Sequence, residues 1–172
     1  MILNKSLFEL PKSEIKKYGL ENLTYGSLTQ KGIERLCREL NPLIKNARGL
    51  DLGCGDGELI YHMQNYMPDS IWEGVEISDH RVNQNIRDVL IWQGDMLNEN
   101  LRPYNILHAD NLCLDEPIAD ALENKIALEF KGLYLSYRQP QNLYFLKRAV
   151  FIKSLLTETT WANHYIHFYE IL

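Results

Sequence analysis

A chain of 172 residues, 45% apolar and 24% charged, has the composition of one globular domain rather than a disordered or fibrous one. Its net charge of −5, with no basic block, excludes a domain that grips nucleic acid unaided, because phosphate binding needs clustered Lys and Arg. No run approaches the roughly 18 apolar residues of a membrane span, and the opening MILNKSLFEL lacks the basic region and sustained apolar core of a signal peptide. A soluble intracellular protein, cytoplasmic or nuclear, is expected. Cys37, Cys54 and Cys113 are odd in number and lack metal-ligand spacing, so they read as reduced thiols.

In chain order, residues 1–45 read as an N-terminal helical segment on the substrate side, and 46–172 as the core of a single domain spanning 1–172. Arg48 to Gly53 is a buried strand ended by glycines, and Glu58 to Tyr66 a helix stopped near Pro68. Ile71 to Ile77 is a second strand, followed by a short helix from Asp79 to Asp88 that Ser78 can cap. Val89 to Gln93 and Asn105 to Ala109 are the third and fourth strands. A helix then runs from about Pro117, with proline at its favoured first turn, to Leu128. Lys131 to Tyr137 is the fifth strand. Ala149 to Leu155 and His164 to Leu172 are two more, rich in β-branched and aromatic residues and joined by the turn-like TETTWAN. The tail WANHYIHFYEIL reads as a buried strand.

Alternating strands and helices imply an α/β fold with a doubly wound parallel sheet. The three glycines Gly53, Gly55 and Gly57 then ask what ligand approaches the backbone so closely. A dinucleotide fingerprint needs Gly or Ala where this chain has Glu58, a carboxylate that would sit poorly beside a pyrophosphate. There is no Gly-Lys-Ser/Thr, which excludes a nucleotide phosphate loop. Glu76 ends the second strand, where a carboxylate accepts hydrogen bonds from ribose hydroxyls. Gly94-Asp95-Met96 closes the third, where Asp95 can accept from an adenine amino group and the Met96 amide can donate to the ring. Carboxyl ends of adjacent strands are where open α/β sheets bind ligands. Together these positions predict an S-adenosylmethionine site. Asp51, at the end of the first strand, is costly to bury without partners. It can bond the glycine-loop amides, meet the cofactor's ammonium, or brace the loop without touching ligand.

With those motifs in place, the chain resembles the Dot-type histone lysine methyltransferases, a branch of the class I methyltransferases. The stretches are Tyr25-Gly26-Ser27, DLGCGDG, Gly74-Val75-Glu76, Gly94-Asp95-Met96, Asp110-Asn111-Leu112-Cys113-Leu114 and Ser136-Tyr137-Arg138, spanning about Leu23 to Leu172. Only the Tyr-Gly and Asp-Asn stretches point to this branch. The resemblance implies a seven-stranded, mostly parallel sheet with a C-terminal antiparallel strand. It also implies a protein substrate, a histone or nucleosome among the candidates, and a catalytic set of Tyr25, Asp110 and Asn111, with Asp110 also near the cofactor. The chain departs from the family at Asp110, where the family has Asn, and at Ser27, where it has Glu. The family's large N-terminal helical region and basic nucleosome-binding tail have no counterpart in these residues.

A lysine nucleophile must be neutral, and an apolar, aromatic-lined channel lowers its pKa. Tyr25, Leu112, Tyr137 and Tyr144 are available for that wall. None of the five histidines belongs to a metal-ligand set, so no metal is expected. His108 reads as a strand residue rather than a catalytic base, and Cys54 as a small spacer. A methyltransferase for a small molecule or another protein, and a cofactor-binding module without turnover, remain as alternatives.

Overall fold

The computed structural model describes residues 5–172. Seven strands form one sheet: β1 (Arg48–Leu52), β2 (Ile71–Glu76), β3 (Ile91–Gln93), β4 (Ile106–Ala109), β5 (Gly132–Ser136), β6 (Ala149–Glu158) and β7 (Asn163–Ile171). Their spatial order is β3-β2-β1-β4-β5-β7-β6. The pairs among β1 to β5 are parallel, and β7 is antiparallel to both β5 and β6. The strand order reverses between β1 and β4, and a crevice opens there at the carboxyl ends of the strands.

Six helices accompany the sheet: α1 (Lys12–Tyr18), α2 (Gln30–Leu40), α3 (Glu58–Tyr66), α4 (Asp79–Val82), α5 (Glu116–Glu129) and α6 (Leu143–Arg148). Two cores flank the sheet. Leu50 and Leu52 pack with Leu107, Tyr134, Leu122 and Ile126 under α5. On the opposite face, Ile33, Leu36 and Leu40 of α2 meet Ile60 and Met63 of α3 above Trp72, Ile106 and Phe168. Thr29 caps α2 by accepting from the Gly32 amide at 3.2 Å, and Asp115 caps α5 by accepting from the Ile118 amide at 3.0 Å.

Several boundaries depart from the sequence pattern. The α4 helix stops at Val82, well short of Asp88. Asn85 competes with helix hydrogen bonding by donating to the Val89 carbonyl and accepting from the Arg87 amide. Arg87 reaches instead to Asp56 and Glu58, and Asp88 takes a left-handed φ of 54°. The α6 helix was not apparent in the sequence. Asn142 caps it by accepting from the Phe145 amide, and Phe145 is held edge-on between Tyr134 and Tyr169. β6 runs on through Thr157 and Glu158, so the turn is shorter than TETTWAN suggests. Residues 1–4 of the expected N-terminal helical segment lie outside the described residues; α1 and α2 occupy much of the rest.

Candidate active site

Beyond Leu52 the chain turns through the three glycines into α3, with φ of 86° at Gly53, 58° at Gly55 and 82° at Gly57. L-residues rarely adopt this region, which explains the glycine spacing without any ligand. Their surroundings differ. A Cβ on Gly53 would meet nothing within 4 Å, so that position faces open space in the cleft. One on Gly55 would lie 2.3 Å from the Tyr25 ring, and one on Gly57 2.5 Å from the Val89 side chain. Of the three glycines expected to meet the cofactor, Gly53 lines the main cleft, and Gly55 and Gly57 do not. Gly55 is roofed by Tyr25, and Gly57 turns away toward β3 and opens α3.

The main cleft lies above the ends of β1, β2, β3 and β4, and Gly53, Glu76, Asp95, Met96 and Asp110 line it. Glu76 is buried; its Oε2 accepts from the Gly55 amide at 2.9 Å and its Oε1 from the Ser78 amide at 3.0 Å. Burial raises its pKa, opposed by the Ser78 amide, the Arg81 guanidinium and the Gly55 amide. Asp95 is exposed and accepts from the Leu97 amide at 2.9 Å, capping the turn Met96–Asn98 while bordering the cleft. It is a cap and a lining residue at once.

A roof over this cleft was not anticipated. Glu14 of α1 accepts from the Ser78 hydroxyl at 2.6 Å and from the His80 amide at 3.2 Å. Asn22 donates to Asp115 at 2.9 Å and accepts from the Asp115 amide at 3.0 Å. The stretch of residues 14–25 crosses from the start of α4 to the loop before α5 and contributes Tyr18, Asn22, Thr24 and Tyr25 to the lining. Buried Arg81 anchors it by donating to the Leu7 and Leu23 carbonyls, with the Tyr25 ring 5.1 Å from its guanidinium carbon. No periodicity marks these residues, because each acts through a distant partner.

A second, smaller chamber of about 20 Å³ lies behind the cleft, lined by Tyr25, Ser27, Asp51, His108, Asp110 and Tyr137 among others. Asp51 does not reach the loop amides. Its carboxylate is 2.7 Å from His108 Nδ1, and His108 Nε2 is 3.0 Å from the Tyr137 hydroxyl. This corrects the loop-brace reading: Asp51 and His108 are register partners on neighbouring strands, so their side chains share a face. Burial pushes the Asp110 carboxyl up to about 6, with His108 opposing and Asp51 adding to the rise. Burial also raises the Tyr25 and Tyr137 phenols, Asp56 adding to the first and Asp110 to the second.

Asn111 is buried and its side chain is fully engaged. Its Nδ2 donates to the Tyr134 hydroxyl at 3.0 Å and to Ser136 Oγ at 2.9 Å. Its Oδ1 accepts from the Tyr137 and Arg138 amides at 2.9 and 3.2 Å. Asn111 lines the main cleft, as a site residue would, and its amide also ties the end of β5 to that of β4. Leu112 and Tyr144 are exposed and line neither cavity, so the channel wall reduces to Tyr25 and Tyr137. Burial raises the Cys54 thiol's pKa, which fits a spacer rather than a thiolate nucleophile. Among the described residues, no group of three or more His, Cys, Asp or Glu is placed to hold a metal ion. No helix among them is long and apolar enough to cross a membrane.

The sheet order, the reversed last strand and a cleft at the switch point define the fold of the class I methyltransferases. Solved structures with this fold resemble the chain along most of its length. An RNA methyltransferase from Salinibacter ruber, in complex with S-adenosyl-L-homocysteine, has 14% identity over 83% of this chain and 92% of its own, with a TM-score of 0.60. The putative methyltransferase yhhF from Escherichia coli has 14% identity over 83% of this chain and 87% of its own, with a TM-score of 0.62. The pyocyanin biosynthetic protein PhzM has 13% identity over 96% of this chain but 60% of its own, with a TM-score of 0.64. At these identities the likeness is one of fold. No protein-family model matches the chain, and no curated protein matches it in sequence.

Proposed function

We propose that this protein is an S-adenosylmethionine-dependent methyltransferase whose acceptor is an amine, a lysine side chain of a protein in the first instance. The observation that carries the reading is the junction of the two cavities. Tyr25, Gly53 and Asp110 line both the main cleft and the inner chamber. A donor in the cleft and an acceptor in the chamber would therefore meet beside these three residues.

The residues present fit the cofactor. Asp95 and Met96 border the third strand's end for the adenine, and Glu76 the second for the ribose. The open face of Gly53 leaves backbone room for the amino-acid part. When bound, the cofactor supplies a methyl group on a positively charged sulfur. The protein's own contribution is positioning and exclusion of water. The roof tied down by Glu14 and Asn22 borders the cleft, and the half-buried Tyr25 phenol, its pKa raised, stays neutral beside it. Asp51 and Asp110 give the inner chamber the charge to receive an ammonium group.

The lysine acceptor follows the resemblance to Dot-type enzymes at Tyr25 and Asp110, and a histone is one such substrate. The S. ruber neighbour is described as an RNA methyltransferase, but a net charge of −5 gives this chain little to grip a phosphate backbone with. A small-molecule amine is the second reading, since Asp51 and Asp110 would receive any ammonium group alike. Calorimetric titration with S-adenosylhomocysteine should show one site. Tritiated cofactor should then label core histones or nucleosomes, or else a small amine such as butylamine. A protein that fails to bind S-adenosylhomocysteine would refute the assignment.

A further inference from the structure

Resting on that reading, we propose that Asp51, His108 and Tyr137 form a proton relay that drains the acceptor amine. The three side chains lie on β1, on β4 and just beyond β5, and are joined in one line: carboxylate to Nδ1 at 2.7 Å, Nε2 to phenol at 3.0 Å. All three are buried, and all three line the inner chamber. Burying three polar groups side by side is costly unless each finds its partner. Here each does, and the line ends at a cavity rather than in packed side chains.

The direction of the relay follows from donor and acceptor capacity. A carboxylate accepts only, so Asp51 takes the hydrogen on Nδ1 and leaves Nε2 as an acceptor for the Tyr137 hydroxyl. The phenol oxygen then keeps a lone pair for a hydrogen arriving from the chamber. The ammonium passes one proton to the Tyr137 oxygen while that oxygen's own proton passes to His108 Nε2, which frees the nitrogen lone pair. With the cofactor bound, that lone pair would bond to the methyl carbon as the carbon–sulfur bond breaks with its electron pair going to sulfur, and the product would leave as the methylammonium. Tyr137 ends as it began, and the new imidazolium faces the Asp51 carboxylate. No phenolate needs to form, which suits a phenol whose pKa burial raises.

The charged and titratable groups around the ring come from several elements. Asp51 lies on β1 and Asp110 just past the end of β4. Tyr25 comes from the roof. His164 of β7 donates from Nε2 to the Tyr137 carbonyl, 2.8 Å away, and its ring stacks on the Tyr137 ring with centroids 6.3 Å apart. Asp110 borders the cleft as well as the chamber, which suits it to hold the incoming ammonium rather than to finish its deprotonation. The Asn111 clamp fixes the Tyr137 amide and so sets the phenol's position.

The test uses the whole protein and the variants Tyr137→Phe and His108→Gln. Nitrogen-15 NMR of the imidazole should find His108 as the Nδ1–H tautomer in the parent protein and in Tyr137→Phe. Both variants should bind S-adenosylhomocysteine within about threefold of the parent. Their methyl transfer to core histones or butylamine should fall roughly 100-fold, and His108→Gln should lose the limb of the pH profile that follows His108. Tyr137→Phe removes only one oxygen, so it remains informative if His108→Gln fails to fold. An Nε2–H tautomer, parental rates, or an unshifted pH profile would overturn the relay. So would a parent protein that binds S-adenosylhomocysteine yet labels no probe. Failure to bind S-adenosylhomocysteine would instead remove the methyltransferase reading, and the tautomer would still decide whether the chain of hydrogen bonds runs as proposed.

Discussion

Replacing Asp110 with Asn should stabilise the protein at neutral and alkaline pH and do little in acid. The carboxyl sits at about 6 against an ordinary 3.8, chiefly because burial disfavours its charge. The folded state therefore binds the proton more tightly than the unfolded state. Stability is fully present below the unfolded pKa, falls as pH rises, and levels off above the folded pKa. A shift of roughly two units corresponds to about 3 kcal/mol withheld from the folded state at pH 8, and about 0.5 kcal/mol at pH 4. Asn resembles the protonated acid and never ionises, so Asp110→Asn should recover most of that difference. Urea unfolding of both proteins at pH 4, 6 and 8 gives the comparison by linear extrapolation. The gain should grow with pH, reaching about 2–3 kcal/mol at pH 8. An equal effect at all three pH values, or a loss at pH 8, would refute the reasoning. A stabilised variant with weakened amine transfer would show that the chain sacrifices stability for a charge at its site.

Glu76→Ala should weaken S-adenosylhomocysteine binding and also unfold more easily by about 3–5 kcal/mol, since buried Arg81 loses its counter-charge; Asp95→Ala, at an exposed cap, should weaken binding roughly 10- to 150-fold at a stability cost of only about 1 kcal/mol. Thermal melts and calorimetric titration of the two variants should separate these effects, and equal stability losses in both would contradict the geometry. Gly53→Ala should lower cofactor affinity at a stability cost of about 1 kcal/mol, whereas Gly55→Val should chiefly destabilise, because its side chain meets Tyr25 and its φ is left-handed. The reverse pattern in melts and titrations would move the cofactor contact from Gly53 to Gly55. Asn111→Ala should cost about 3 kcal/mol or more in urea unfolding, having orphaned two buried hydroxyls and two amides. A near-neutral result would contradict the clamp.

Much of the architecture was legible because it rests on short-range chemistry. Glu58–Tyr66 forms the helix its pattern predicts, since periodicity and the Gly57 turn act within a few residues. The parallel strands end near the expected glycines and carboxylates, which placed Glu76, Asp95 and Met96 at the cleft. The length of α4 was not legible, because Arg87 is drawn to Asp56 and Glu58 from a part of the chain far away in sequence. Nor was α6, whose Phe145 finds its reason only between Tyr134 and Tyr169.

The sequence by itself determined which backbone positions must turn left-handed and which strand ends carry carboxylates, because dihedral preference and side-chain period belong to each residue and its neighbours. It could not say which glycine faces the cleft, that Asn111 clamps two strands, or that Asp51 answers to His108. Those follow from strand register and from a roof folded back across the sheet. Register aligns Asp51 of β1 with His108 of β4, and only the closed sheet brings Tyr137 to the other side of the ring.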